Sequence, residues 1–274
     1  MNAAEIKKLL EKYSFSPEKS LGQNFLIDKN ISKKIIKAGE ISKKDTVLEI
    51  GAGVGCLTVP LSEKAKKVIT IEKDEKMIPA LKETIDGIKN IEILNQDALL
   101  FSPKVKKYKI IANIPYYITS PLIQKFLEEE NPASLILLTI QKEVAERICA
   151  KPPRMNLLAI SVQFYAEPKI VSRVSKNSFW PIPKVDSAII KIIPKKNEIS
   201  PVFRKRFFSV VKKGFSCPRK QLAKNLGLKK DEIKEFDLTR RAETLTLEEW
   251  KFLTNQITHV QPGDGHVIYE KNKR

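Results

Sequence analysis

Histidine is almost missing from this chain: His259 and His266 are the only two, both in the last sixteen residues. A His-based triad or a clustered His metal site is therefore excluded from the main body, and no metal is expected. The three cysteines, Cys56, Cys149 and Cys217, are isolated and odd in number, with no C-x-x-C pair. A disulfide framework and a zinc ribbon are thereby excluded, and a reducing cytoplasm is the expected location. Long apolar runs are also lacking: Leu135 to Ile140 is the longest, far short of the ~20 residues a membrane-spanning helix needs. No membrane partner is expected. Near the start, Ile6, Leu9, Leu10 and Tyr13 recur at helical spacing among Glu and Lys. That pattern predicts a short amphipathic helix rather than the apolar core of a signal peptide, so neither cleavage nor export is expected.

Acid is scarce too. Fifty Lys plus Arg stand against thirty-two Asp plus Glu, leaving +18, an excess that points to a polyanionic partner, nucleic acid before membrane. From Lys191 to Lys230 there are thirteen Lys or Arg and one acid, Glu198, whereas residues 45–97 hold seven bases and ten acids. One part of the chain is thus suited to phosphates, and Arg204, Lys205, Arg206, Lys212, Lys213, Arg219 and Lys220 are the residues expected to bind a nucleic acid there.

The 274 residues suit slightly under two domains at ~150 residues each. Apolar runs at Thr46–Ile50, Val68–Ile71, Ile91–Leu94, Lys109–Ala112 and Leu135–Thr139 alternate with helical stretches, which predicts an α/β domain with a parallel sheet covered on both faces. Leu157–Tyr165 and Ser187–Ile193 are expected to add an antiparallel pair at the sheet edge, although periodicity does not settle the first. The polar segment Pro194–Pro201 reads as the boundary. A catalytic domain over 1–195, an all-helical basic domain over 201–258 and a mobile tail over 259–274 follow. In the second domain Phe203, Phe207, Val210 and Val211 share one face, and Thr246 with Glu249 forms a capping box before Trp250, Leu253 and Ile257.

Within the first domain, Val47-Leu-Glu-Ile-Gly51-Ala-Gly53-Val-Gly55-Cys is a strand running into glycines that let backbone amides approach a ligand. Cys56 stands where a dinucleotide fingerprint would have its last glycine, which weakens a nicotinamide or flavin reading. Glu72, at the end of the second strand, can accept both hydroxyls of a ribose, and Asp97, after the third, can accept from an adenine amino group. The fourth strand ends in Asn113-Ile114-Pro115-Tyr116. An adenine exocyclic amine is a poor nucleophile, because its lone pair is delocalised. Two acceptors, the Asn113 side-chain oxygen and the Ile114 carbonyl, would favour the pyramidal nitrogen that attack requires. Pro115 removes a competing donor, Tyr116 would stack on the base, and Phe179, on a stiff Pro-rich loop, is a second stacking candidate against a role as a buried anchor.

Taken in order, Gly22-Gln-Asn-Phe-Leu26, Glu49 to Thr58, Asn113 to Leu122, Gln141 to Arg147, Pro183 to Ser187, Arg219-Lys-Gln-Leu and Arg241 to Leu245 resemble the small-subunit ribosomal RNA adenine-N6,N6 dimethyltransferases of the KsgA type. The resemblance runs from about Leu21 to Ile257. It implies a Rossmann-like S-adenosylmethionine-dependent methyltransferase sheet with a smaller all-helical C-terminal domain. By that similarity S-adenosylmethionine is the cofactor, with Gln23, Asn24 and Leu26 closing over it, Gly51 and Gly53 beneath, Glu72 on the ribose, Asp97 at the adenine and Asn113 bridging to the target. The implied partner is small-subunit rRNA in the assembling small ribosomal subunit, met by a cytoplasmic monomer. The product would be N6,N6-dimethyladenosine at two adjacent adenosines of the 3′-terminal hairpin. A macrolide-resistance-type large-subunit methyltransferase, a catalytically idle assembly factor and a DNA adenine methyltransferase are the alternatives. The sequence departs from the family pattern at Leu157-Leu158 and at Ile182.

Overall fold

The computed structural model describes residues 1–18, 22–115, 118–195 and 199–257. They form two units: Met1–Ala145 with Glu167–Pro194, and Glu146–Ala166 with the chain from Lys195 onward.

The first unit opens with helix α1 (Ala3–Lys12), where the Asn2 and Glu5 side chains cap each other's backbone reciprocally, satisfying N–H groups a helix start leaves orphaned. A two-residue strand β1 (Phe25–Leu26) and helix α2 (Lys29–Ala38), capped by Asp28, follow. The chain then alternates through β2 (Thr46–Ile50), α3 (Thr58–Lys64), β3 (Lys67–Glu72), α4 (Ile78–Thr84), β4 (Ile91–Asn95), β5 (Lys109–Asn113), α5 (Thr119–Glu128), β6 (Leu135–Gln141) and α6 (Lys142–Ile148). Residues of β2, β3, β5 and β6 are buried almost without alternation, as strands covered on both faces must be.

After α7 (Leu157–Tyr165) come β7 (Ala166–Val174), β8 (Phe179–Trp180) and β9 (Ser187–Pro194). The large sheet has the order β4-β3-β2-β5-β6-β9-β7. Strands β4, β3, β2, β5 and β6 run parallel, and β9 is antiparallel to β6. Strand order reverses between β2 and β5, and in such sheets the crevice beyond the carboxyl ends at that reversal is where ligands bind. Gly51 follows β2 there, and Ile114 and Pro115 follow β5.

The five predicted parallel strands and β9 are present. Leu157–Tyr165 is corrected: it is helix α7, whose cap is the Asn156 side chain accepting from the Ala159 N–H at 3.0 Å. The helix is apolar nearly all round and largely buried, which leaves no polar stripe to betray a 3.6 period. Its Phe164 stacks on Phe207 at 4.4 Å between centroids. The helix therefore belongs to the second unit, and the expected 1–195 domain is interrupted by residues 146–166. The true edge strand is β7, overlooked because Ala-Glu-Pro-Lys-Ile-Val-Ser-Arg-Val carries Pro168 and three charges. Both are features tolerated at a sheet edge, where one side of the ladder is unpaired.

Among the described residues the second unit is helical, with α8 (Pro201–Gly214), α9 (Leu222–Leu226) and α10 (Leu247–Gln256) beside α7. Phe207, Phe208, Val210, Val211, Trp250 and Leu253 form its core. The Thr246–Glu249 capping box of α10 is present as predicted.

Candidate cofactor and target site

At the sheet reversal lies a cavity of about 410 Å³ lined by Gln23, Asn24, Leu26, Gly51, Gly53, Glu72, Asp97, Asn113 and Pro115, among others. That volume falls within the ~300–1,000 Å³ of small-molecule pockets. All the residues singled out for cofactor binding are thus brought together, although they come from five separate stretches of chain.

Gly51 and Gly53 have φ of +77° and +54°, a left-handed conformation that disfavours any side chain. A Cβ on Gly53 would also stand 2.9 Å from the Phe25 ring, so the loop after β2 lies directly under the segment that carries β1. Glu72 is 8% exposed; one carboxylate oxygen accepts from the Gly53 N–H at 2.8 Å and the other from the Asp74 N–H at 2.9 Å. Burial pushes its carboxyl above the usual range, and these two amides act against that shift. Each oxygen keeps a further lone-pair direction. Asp97 accepts from Lys73 Nζ at 2.8 Å and from the Leu99 N–H at 2.9 Å, and the Lys73 ammonium, first, holds its carboxyl below the usual range. It is an ionised acceptor at the cavity wall.

Asn113 closes the far side. Its Nδ2 donates to the backbone carbonyl of Asn24 at 2.9 Å, and only the amide nitrogen can make that bond, so the orientation of the side chain follows and Oδ1 is an acceptor. The Asn24 segment is in turn pinned by Gln23 Nε2, which donates to Asp74 Oδ2 at 2.9 Å. It is also held by the pairing of β1 with β8 and by stacking of Phe25 on Trp180 at 6.3 Å. Ile114 is buried and Pro115 reaches the cavity. Tyr116, expected to stack on the base, lies outside the described residues.

A model of the family described as ribosomal RNA adenine dimethylase matches residues 14–258 of this chain. The chain belongs to that family. A ribosomal RNA small subunit methyltransferase A from Dehalococcoides mccartyi (strain CBDB1) is 41% identical over 266 residues, 91% of each chain. One from Clostridioides difficile (strain 630) is 41% identical over 272 residues, 92% of this chain and 94% of its own. Among solved structures, a dimethyladenosine transferase from Plasmodium falciparum matches with TM-score 0.73 and 31% identity, covering 84% of this chain and 96% of that one. The 23S rRNA methyltransferase ErmE matches with TM-score 0.73 and 26% identity over 85% of this chain and 99% of its own. The ribosomal RNA adenine dimethylase fold, an α/β methyltransferase sheet, is the one predicted.

Within this dimethylase, one expectation needs correction. Phe179 is 1% exposed and pairs with Leu26 across β1 and β8, its ring in the core with Ile31, Ile35 and Val174. It presents no open face to a base; it anchors the loop, the alternative weighed from the sequence. Of the basic residues in the second unit, Lys205, Lys213, Arg219 and Lys220 are exposed, whereas Arg204, Arg206 and Lys212 are half-buried. Arg206 donates to Asn255 Oδ1 at 3.4 Å.

Two cavity residues escaped the sequence reading. Asp74, which anchors Gln23, looks like an ordinary loop acid and gave no signal. Glu49 is 1% exposed and accepts from Thr70 Oγ1 at 2.8 Å; burial pushes its carboxyl up to about 7. Its signal was available: an acid inside the apolar strand Val-Leu-Glu-Ile costs free energy that packing alone does not repay.

Proposed function

We propose that this chain transfers methyl groups to N6 of two adjacent adenosines in the 3′-terminal hairpin of small-subunit rRNA, giving N6,N6-dimethyladenosine during assembly of the subunit. It acts as a cytoplasmic monomer. The observation that carries the reading is the Asn113 amide, held by the Asn24 carbonyl so that Oδ1 is an acceptor at the cavity. A hydroxyl presents a single proton and a ring carbon no hydrogen-bond donor, whereas an adenine amine presents two protons to a pair of neutral acceptors such as Asn113 Oδ1 and the Ile114 carbonyl.

S-adenosylmethionine fits the cavity and supplies an electrophilic methyl group. Glu72 would take the ribose hydroxyls on the lone pairs left by Gly53 and Asp74, Asp97 the adenine amine, and Gln23, Asn24 and Leu26 would cover the ligand. Asn113 Oδ1 and the Ile114 carbonyl would accept from N6 of the target, concentrating electron density on nitrogen as it pyramidalises. Pro115 offers no competing N–H. The target adenosine must leave its stack to reach this site, which a hairpin-loop nucleotide does cheaply. The small subunit is favoured over the large because relatives named for the small subunit are about 41% identical over more than 90% of the chain, whereas ErmE is 26% identical.

The test is incubation with labelled S-adenosylmethionine and undermethylated small subunits, large subunits or duplex DNA, followed by mass spectrometry of nuclease digests. Dimethyladenosine confined to the small subunit is expected. Monomethyladenosine as the sole end product, or label on large subunits or DNA, overturns the reading.

A further inference from the structure

A second opening, a groove of about 1,430 Å³, lies on the first unit between α1, α2 and α3. Its walls carry Lys8 from α1, Lys29, Lys33 and Lys37 from α2, and Lys64 from α3, all exposed. The three lysines of α2 are spaced i, i+4, i+8, so each stands over the next on one helix face. Like charges so placed disfavour the helix by about 0.2–0.5 kcal/mol per pair, and no acid lies between Lys29 and Ala38 to relieve them. Among the described residues none of these five lysines makes an ion pair. The acids of the groove are mostly engaged elsewhere: Glu5 caps α1, and Glu83 is taken by Lys12 and Tyr13 at 2.7 and 2.5 Å. Glu63 alone is left to oppose the lysines. The Asp28 cap of α2 is likewise engaged, by its own helix N–H groups and by Ser178 Oγ.

We propose that this groove is a further contact surface for the phosphate backbone of the RNA substrate. The occupant is argued from charge: five cations from three helices converge on one concave surface, in a chain whose net charge is +18, with one uncommitted carboxylate to balance them. Phosphates would relieve the repulsion along α2 and release condensed counterions. The inference rests on the rRNA reading above. It adds a surface on the catalytic unit to the basic helices of the other.

The test compares the full-length chain with the variant Lys29→Gln, Lys33→Gln, Lys37→Gln, chosen because glutamine keeps helix propensity. Affinity for protein-free small-subunit rRNA and for undermethylated small subunits is measured across a potassium chloride series. The expected result is a salt slope lower by about 2 to 3, at 0.7 to 0.9 per lost phosphate contact. S-adenosylmethionine affinity should be unchanged by calorimetry. Lys34→Gln, on α2 but outside the groove, should leave the slope unaltered, whereas Lys33→Gln alone should lower it by just under one. An unchanged slope on protein-free rRNA overturns the proposal, and a loss seen only with intact subunits overturns it in favour of a ribosomal protein. Failure of the parent to methylate small subunits would strike the proposed function instead, since the slope is read from binding alone.

Discussion

Asn113 and Glu49 show how single residues are set to a task by what surrounds them. The Asn113 amide is oriented by a backbone carbonyl 89 positions away in the chain, so the catalytic role proposed for it depends on the Asn24 segment being seated. Asn113→Ala should lower the single-turnover methyl-transfer rate by roughly 100-fold or more at saturating donor, as loss of one preorganised polar group does. RNA affinity should survive, and a parental rate would refute the role. Glu49 makes a pH prediction. Its native carboxyl titrates at about 7 against 4.5 in the unfolded chain, so between those values the native state holds the extra proton and stability falls as pH rises. Glu49→Gln removes that loss, and other titrating groups are common to both proteins. The stability advantage of the variant over the parent should widen by about 2 kcal/mol from pH 5.5 to 8. Urea unfolding of the cofactor-free proteins measures it, and a constant gap would mean that Glu49 does not titrate in this window. Asn113 was legible from the Asn-Ile-Pro-Tyr turn at a strand end; its bond to Asn24, a residue named only through the family resemblance, was not, because a contact across 89 residues leaves no local trace.

The elements were legible in proportion to how sharply their burial is patterned. Strands β2, β3, β5 and β6 are short apolar runs bounded by turns and alternating with helical stretches, and that alternation points to a covered sheet. Helix α7 and strand β7 sit side by side in sequence and were misread together, the first because it is buried all round, the second because Glu167, Lys169 and Arg173 suit an edge. The same reasoning singles out the loop after β2 for a test. Gly53→Ala should destabilise the first unit by about 1–2 kcal/mol for a left-handed residue given a Cβ. It should also displace Phe25, whose ring would be 2.9 Å from the new carbon, and with it the Gln23–Leu26 cover. Weaker S-adenosylmethionine binding by calorimetry is the expected outcome. Parental affinity in the folded variant would show that the cover does not depend on that contact.

Over the whole molecule, charge is distributed as composition suggested: an acidic stretch over residues 45–97 supplies Glu72 and Asp97, and a basic stretch supplies α8 and the chain beyond it. What composition could not give is which bases are free. Arg206 is half-buried, and its Nε is buried with no hydrogen-bond partner, so substituting it would disturb packing as well as charge. Lys205, Lys213, Arg219 and Lys220 are exposed, and they form the better set for a binding test. Replacing all four with serine should lower the salt slope of RNA binding by about 3, at 0.7 to 0.9 per contact, while S-adenosylmethionine affinity stays at the parental value because none of them lines its cavity. A filter-binding series in potassium chloride with small-subunit rRNA reads the slope. If it matches the parent, these basic residues serve solubility rather than RNA, and the phosphate contacts must be sought among the lysines of the first unit.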